Sequence, residues 1–295
     1  MKYVKVNLSK ISKLDEEFNH ELILDYSRVL LRIETTNHCN FKCTFCPHSE
    51  MKRDKVFIDE NIYYKIIDQA SAIGFKKLDL RNFGEPLLDK RVSKFAKYAY
   101  EKGIDKIYIH TNGYGLSVKK INEWGSHGIC DVNISLSPKR EFLKTRPNVN
   151  VDRLFSSIER IMKSDSKWKH ILSVDYIQTG ESTEEEESEF MKWLDDIKLP
   201  KRIDIQLHNW AKGNANMHAQ CHRLWTSFTI LSNGDVSLCC LDYEGEVKFG
   251  NIFESSIEEI INNKKYREVR SNHLQGIFLE KCSKCDMTEV KDQNY

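Results

Sequence analysis

From about residue 28 to residue 208, short apolar runs alternate with longer amphipathic ones, and this alternation constrains the fold more than any other feature. The spacing predicts strands over Val29–Thr35, Lys77–Phe83, Lys106–His110, Asp131–Ser137, Leu172–Gln178 and Arg202–His208. It predicts helices over Asp59–Ala72, Lys90–Lys102, Val118–Trp124, Val151–Lys163 and Thr183–Ile197. Repeated strand–helix alternation builds a parallel sheet from βαβ units. Six strands are too few for a closed eight-stranded barrel, so the expected fold class is α/β, an open partial (β/α)6 barrel. Ligands of such folds gather at the carboxyl ends of the strands.

The strands are not continuous apolar runs, as buried parallel strands usually are. Leu78 and Leu80 oppose Asp79 and Arg81; Ile107 and Ile109 oppose Tyr108 and His110. Val132, Ile134 and Leu136 oppose Asn133, Ser135 and Ser137, and Ile203, Ile205 and Leu207 oppose Asp204, Gln206 and His208. Side chains alternate faces with period two. If the apolar face packs on the helices, the other lines a polar lumen, and buried polar groups need polar partners. The plain alternative is a half-exposed sheet with one solvated face. Candidate substrate contacts on this pattern are Arg81, His110, Tyr176, Gln178, Asp204, Gln206, His208 and Trp210.

After Trp210 the pattern changes. Residues 211–219 read as a linker, and Ser227–Leu231 and Asp235–Cys239 read as a hairpin through the Asn233-Gly234 turn signal. Helical segments follow at Ser256–Asn262 and Tyr266–Asn272, and Glu181–Glu189 reads as an acidic helix start capped by Thr183. The expected organisation is an N-terminal extension (1–27), a barrel (28–210) and a small C-terminal α+β domain (211–295).

Lys and Arg number 45 against 44 Asp and Glu, which leaves no basic field for bulk nucleic-acid binding. No stretch approaches a membrane span and the first residues hold no apolar signal core, so the expectation is a cytoplasmic protein without a membrane partner. Nine cysteines in a reducing compartment point to metal or redox chemistry rather than disulfides. Cys39, Cys43 and Cys46 form a CxxxCxxC directly after the first strand; Cys130 stands alone; Cys221, Cys239, Cys240, Cys282 and Cys285 fall in the last quarter. Three close thiolates can wrap one soft-metal centre and are one ligand short of closing it. Spacing alone leaves open a zinc knot, completed by His38 or His48, and an iron–sulfur cluster. The four thiolates of Cys221, Cys239, Cys282 and Cys285 can close a complete site, again a zinc ribbon or a cluster.

Two further motifs end the second and third strands: Asn82-Phe83-Gly84-Glu85-Pro86 and His110-Thr111-Asn112-Gly113. Gly84 permits close backbone approach, and Glu85 supplies an acceptor for an ammonium. With the cysteine triad they make three motifs, in order, at consecutive strand ends. This constellation resembles the radical S-adenosylmethionine (SAM) superfamily. The resemblance implies that Cys39, Cys43 and Cys46 hold a [4Fe–4S] cluster whose open iron is chelated by SAM. It implies SAM contacts from Phe45, Phe83, Gly84, Glu85, Thr111, Asn112, Ser135 and Ser137. The family's Gly-Gly-Glu-Pro has Phe83 at its first position here.

The C-terminal region resembles the SPASM/twitch extensions of the same superfamily. That implies a second [4Fe–4S] cluster on Cys221, Cys239, Cys282 and Cys285. A strand through Cys239 would turn Cys240 the other way, as buried filler or a hydrogen-atom donor, and Cys130 is expected in the core. By resemblance to twitch enzymes of the 2-deoxy-scyllo-inosamine dehydrogenase type, the expected reaction is oxidation of an alcohol to a ketone. The substrate would be small, polar, and sugar-like or an aminocyclitol. The auxiliary cluster would accept the electron, and a flavodoxin or ferredoxin would supply reductant. The rivals are a radical epimerase using Cys240 or Cys130 as hydrogen donor, a peptide-modifying maturase, and a zinc-binding structural protein. The ~27 residues ahead of the first strand are too few for a separate peptide-binding domain.

Overall fold

The computed structural model describes residues 1–5, 25–206, 210 and 221–285. In chain order its elements are β1 (Tyr3–Lys5), β2 (Leu30–Ile33), α1 (Glu60–Ala72), β3 (Lys77–Asp79), α2 (Val92–Glu101), β4 (Lys106–Thr111) and α3 (Val118–Ser126). There follow β5 (Ile129–Ser135), α4 (Lys139–Thr145), α5 (Val151–Met162), β6 (Leu172–Gln178), α6 (Glu184–Asp196) and β7 (Lys201–Gln206). The last stretch holds α7 (Arg223–Thr226), β8 (Ser227–Ile230), β9 (Asp235–Ser237), β10 (Lys248–Asn251), α8 (Ile257–Ile261), α9 (Lys264–Leu274), β11 (Ile277–Leu279) and α10 (Glu280–Ser283). The chain is a mixed α/β protein with a parallel central sheet and a small C-terminal region, as its patterning predicts. It divides into two compact units: Met1–Ile33 with Ile58–Lys77 and His208–Tyr295, and Glu34–Phe57 with Leu78–Leu207.

In the larger-numbered part of the second unit, β4, β5, β6 and β7 run parallel in that order. Their connections are helices, because parallel neighbours need a crossover. Caps start these helices: the side chains of Ser117, Asn150 and Thr183 accept from backbone N–H groups of α3, α5 and α6, and Thr183 with Glu186 forms a capping box. One face of α5 carries Leu154, Phe155, Ile158, Ile161 and Met162, at three-to-four spacing and all buried.

The two-fold alternation in the strands is observed. Ile107, Ile109, Val132, Ile134 and Val174 are fully buried on one face. On the other, His110 stands beside Asn133, Asn133 beside Ser173, and Asp175 beside Arg202. Asn133 is 0% and Asp175 8% exposed, so this polar face is not a solvated sheet surface.

In the first unit, β2 pairs in parallel with β8, and β8 pairs antiparallel with β9 through the turn at Gly234 (φ +81°). A Cβ there would come within 2.5 Å of the Phe253 ring, so the turn requires glycine. Strand β1 pairs antiparallel with β11, with Tyr3 opposite Leu279. The segment read from sequence as an N-terminal extension therefore supplies β1, the partner of the strand that precedes Cys282. Among the described residues, no helix is long and apolar enough to cross a membrane.

The sequence reading missed α4, which lies between Pro138 and Pro147. It overran β3: the strand stops at Asp79, and a 3-10 turn at Pro86–Leu88 follows the Gly84-Glu85 motif.

Candidate functional site

The three cysteines of the triad lie in the loop after β2. Cys46 N–H donates to the Cys43 carbonyl at 3.1 Å, which curls the CxxC half into a turn. Buried Asn37 ties this loop down: its Nδ2 donates to the Asp54 carbonyl (2.8 Å) and its Oδ1 accepts from Val56 N–H (2.7 Å). Thr44 N–H donates to the Thr145 carbonyl at the end of α4 (2.9 Å). Burial foremost, with a smaller contribution from Cys43, pushes the Cys39 thiol up to about 11, and burial with Cys43 and Cys39 pushes the Cys46 thiol up to about 12. Burial raises the Cys43 thiol too, so all three resist ionisation in a half-buried loop, the setting that a thiolate-bound cationic centre relieves.

Among the described residues, no three His, Cys, Asp or Glu side chains converge on a single-ion position. Neither histidine of the zinc alternative completes a site: His48 Nε2 is 2.7 Å from the Asn37 carbonyl, and the His38 ring stacks on Phe57. The soft donor set fits a cluster with an open position.

The second motif packs directly on this loop. A Cβ on Gly84 (φ +100°) would lie 2.4 Å from the Thr36 carbonyl oxygen and 2.8 Å from the Asn37 Cα. Glu85 N–H donates to the His38 carbonyl at 2.7 Å, immediately before Cys39. Position 83 has no such need. Among the described residues the left-handed non-glycine positions are Asn148, Lys198 and Trp210, so Phe83 sits in ordinary backbone. Its N–H donates to Glu34 Oε2 (3.3 Å), and Arg53 holds that carboxylate through two 2.9 Å bonds.

Glu85 is 2% exposed, and its carboxylate accepts from Thr111 Oγ1 (2.6 Å), Asn112 N–H (2.7 Å) and Leu87 N–H (2.9 Å). Burial pushes its pKa up to about 7 against the pull of these bonds. The carboxylate therefore joins the Glu-Pro and Thr-Asn motifs to each other, leaving about one of its four acceptor positions for an incoming ammonium.

Ser135 and Ser137, at the end of β5, both accept from Arg146, at 3.1 and 3.2 Å. Arg146 is 1% exposed and lies over the Phe45 ring (5.0 Å) and the Phe142 ring (4.5 Å). The sequence reading did not single it out. Its side-chain hydrogen bonds go to the hydroxyls of Ser135, Ser137 and Thr145, with Glu141 and Cys43 as the acidic groups near it beside the cysteine loop. Such a group suits an anion, for example a carboxylate of a bound small molecule.

On the polar strand face His110 Nε2 lies 3.1 Å from Asp175 Oδ2, and Arg202 Nε 2.8 Å from Asp175 Oδ1. Arg81 pairs with Asp79 at 2.8 Å. Burial, with Arg81 nearby, lowers the His110 pKa to about 4, so the imidazole is neutral.

Two predicted contacts are corrected. Tyr176 points to the helical side: its ring meets Phe190 of α6 edge-on, and its hydroxyl bonds to Glu141, Ser182 and Glu187. Gln178 shares that side of β6 and is exposed. Because β6 pairs with β5 through Ser173 and Asp175, its odd residues take the polar face. The side chains of Asp204 and Gln206, and all of His208, lie outside the described residues. Trp210 is half-buried in a turn.

The C-terminal cysteines also group. Burial, reinforced by Cys240, Cys282 and Cys221, raises the Cys239 thiol, and burial with Cys221 and Cys285 raises Cys282. Cys285 N–H donates to the Cys282 carbonyl at 3.1 Å, the same turn as in the first triad. Cys221 N–H donates to His273 Nε2 (2.9 Å), whose pKa burial lowers to about 3. Buried Asp242 accepts from Ser237 Oγ, Glu246 N–H, Val247 N–H and Lys281 Nζ. It links the loop after Cys239 to the residue before Cys282.

Cys240 is a correction. Strand β9 ends at Ser237, so alternation does not carry to it; Cys240 sits with the other cysteines, its Sγ 3.3 Å from Arg223 Nη1. Cys130 is exposed rather than in the core, its thiol donating to the Ile107 carbonyl.

A family model described as the radical SAM superfamily matches residues 33–194, more than half of the chain. The chain belongs to the radical SAM superfamily. A second model, the SPASM iron–sulfur cluster-binding domain, matches residues 221–286 and spans all four predicted auxiliary ligands. Membership implies a [4Fe–4S] cluster and SAM in the first region, and further iron–sulfur ligation in the second.

Among curated relatives of this radical SAM enzyme, the GTP 3',8-cyclase of Actinobacillus pleuropneumoniae serotype 3 (strain JL03) is 24% identical over 221 residues, 73% of this chain and 62% of that protein. That of Desulforamulus reducens is 31% identical over 162 residues, 51% and 44%. The matches span roughly half of such relatives' length. Among solved structures, BtrN in complex with AdoMet and 2-DOIA superposes with a TM-score of 0.67 at 19% identity, covering 90% of this chain and 95% of that one. Streptococcus suis SuiB bound to precursor peptide SuiA gives 0.64 at 16%, covering 83% and 67%. These likenesses show the fold.

Proposed function

We infer that this radical SAM enzyme removes a hydrogen atom from a small hydroxyl-rich substrate, sugar-like or an aminocyclitol, and oxidises an alcohol to a ketone. The observation that carries the reading is the polar strand face built by His110, Ser173 and Arg202 around buried Asn133 and Asp175. Apolar or peptide-backbone substrates have less use for so many buried polar groups, each of which costs about 1–3 kcal/mol when left without a partner.

The cofactors supply reductive cleavage of SAM to a hydrogen-abstracting radical and a path for one electron; the chain positions and shields. Cys39, Cys43 and Cys46 would hold the SAM-binding cluster, and Cys221, Cys239, Cys282 and Cys285 the auxiliary one. Glu85, Thr111 and Asn112 would hold the amino end of SAM, with Phe45, Gly84, Ser135 and Ser137 lining its site. Arg146 would meet its carboxylate. The coverage of BtrN, solved with 2-DOIA, supports this reading over the cyclase named for relatives that match over only part of their length. Cys240, grouped with the auxiliary cysteines, argues against the epimerase alternative. The electron donor would be a small reducing protein such as flavodoxin or ferredoxin.

The test is an anaerobic screen of carbon-deuterated cyclitols and sugars with SAM and dithionite. Deuterium in 5′-deoxyadenosine with a ketone product is the expected result. Deuterium transfer with an inverted alcohol, or with a cross-linked peptide as the only substrate, would overturn it.

A further inference from the structure

We propose that His110 and Asn133 form a subsite for one substrate hydroxyl, with Asp175 fixing the His110 tautomer so that Nδ1 receives the hydroxyl proton. The proposal rests on the hydroxyl-rich reading above and assigns its recognition to two atoms.

His110 and Asn133 are register partners on adjacent parallel strands, β4 and β5. His110 Nε2 faces the Asp175 carboxylate at 3.1 Å. A carboxylate only accepts, so Nε2 carries the hydrogen and Nδ1 of the neutral ring carries a lone pair. Among the described residues, Nδ1 has no hydrogen-bond partner. Asn133 Oδ1 accepts from Ser173 Oγ at 2.5 Å, and buried Nδ2 likewise has no partner among the described residues. Neighbouring strands thus present one buried acceptor and one buried donor, each unmatched.

The pair selects its ligand chemically. An ammonium only donates and would leave Nδ2 unmatched; a carboxylate or phosphate only accepts and would leave Nδ1 unmatched. A hydroxyl does both from one oxygen, accepting from Asn133 Nδ2–H and donating to His110 Nδ1. His110 and Asn133 sit at paired register positions on neighbouring strands, which places the two unmatched atoms on one patch of the polar face.

Burial first and Arg81 second hold the ring neutral, so Nδ1 keeps the lone pair that accepts a hydroxyl hydrogen. Asp175 and Asp79 favour the imidazolium, whereas Arg81 opposes it; Arg202 is paired to Asp175, and Asp131 faces Ser173. In the oxidation, SAM would supply the acceptor of the carbon-bound hydrogen atom and an oxidised iron–sulfur cluster would take the remaining electron. At His110 the hydroxyl O–H bond would break as an N–H bond forms at Nδ1, leaving a carbonyl.

The test is equilibrium binding of 2-deoxy-scyllo-inosamine, myo-inositol and D-glucose to the SAM-loaded holoenzyme, without reductant. Iron content and circular dichroism are checked for each variant. His110→Ala and Asn133→Ala should each weaken the best probe at least tenfold. His110→Asn, whose amide oxygen falls near the Nδ1 position, should restore binding to within about threefold while turnover under reductant stays at least tenfold down.

In the wild-type protein, labelled with 15N-histidine, Nδ1 of His110 should give a pyridine-type signal that shifts on adding the probe. Tight binding by wild type that neither alanine substitution weakens, or a pyrrole-type Nδ1, overturns the subsite alone. Failure of all three probes to bind the wild type overturns the hydroxyl-rich reading and the subsite with it.

Discussion

Lys281 Nζ lies 2.6 Å from Asp242 Oδ1, and Asp242 is wholly buried. This ion pair fastens the loop that follows Cys239 to the residue that precedes Cys282, so it braces two parts of the auxiliary cysteine set against each other. Removing the carboxylate leaves a half-buried cation, with Glu246 at 3.1 Å as its other acidic partner, and three unsatisfied donors. Asp242→Ala is expected to cost about 3 kcal/mol and to lower retained iron by about half on the cysteine count. Iron and acid-labile sulfide assays alongside a thermal melt check this; full iron content with an unchanged melt would contradict it.

Two independent centres predict two separable losses. Wild-type protein, purified without oxygen, should carry about eight iron atoms with matching sulfide. Alanine at Cys39, Cys43 and Cys46 should halve the iron and abolish reductive SAM cleavage. Alanine at Cys221, Cys239, Cys282 and Cys285 should halve the iron while SAM cleavage under dithionite persists. Colourless protein containing only zinc would refute both centres.

Arg146 should matter for SAM affinity through shape as well as charge, since its guanidinium spans Ser135, Ser137 and two aromatic rings. Arg146→Lys keeps the charge but loses the planar fork. Both Arg146→Lys and Arg146→Ala are expected to weaken SAM binding by about tenfold or more, the worth of one charge-assisted hydrogen bond. Equilibrium dialysis with SAM measures it, and an unchanged affinity for the lysine variant would show that shape is irrelevant.

His110 contributes to acid sensitivity. Its pKa is lowered to about 4, from an ordinary 6.5, by burial first and Arg81 second. Between these values the unfolded chain binds a proton that the folded chain excludes, so folded stability is intact above about pH 6.5 and falls as pH drops towards 4. The full span corresponds to about 3 kcal/mol as an upper bound. His110→Asn should flatten that part of the stability-against-pH curve, read from denaturant melts at pH 4.5, 5.5 and 7. A curve of unchanged slope would mean that other groups carry the acid response.

Gly84 is required by contact. Gly84→Ala would drive a Cβ against the Thr36 carbonyl and the Asn37 Cα, both backbone atoms that cannot rotate away. The expected result is a loss of about 3 kcal/mol or more and poor loading of the triad cluster, seen as a weakened 400 nm absorbance after reconstitution.

Much of this was legible in the sequence because it depends on local periodicity. Two-fold alternation in Ile107–His110 and Asp131–Ser135 foretold a buried polar face, and the order of the cysteine, Gly84-Glu85 and Thr111-Asn112 motifs foretold a shared strand-end site. The failures share a cause. Tyr176 was assigned to the polar face from residue type, but the face of β6 is set by its register with β5. Cys240 was assigned by extending a strand that in fact ends at Ser237. Arg146 went unnoticed because a single arginine between two prolines carries no periodic signal.

The sequence by itself determined the element types, the two cysteine groups and the family, since spacing along the chain is enough to define a metal-ligand motif or an amphipathic strand. The tertiary structure decided which polar atoms meet. That Glu85 bonds to Thr111 and Asn112, that Arg146 reaches Ser135 and Ser137, and that His110 leans on Asp175 all depend on partners between 9 and 65 residues apart. Such pairings follow from strand register and helix packing, and these are set by the whole core rather than by any local run of residues.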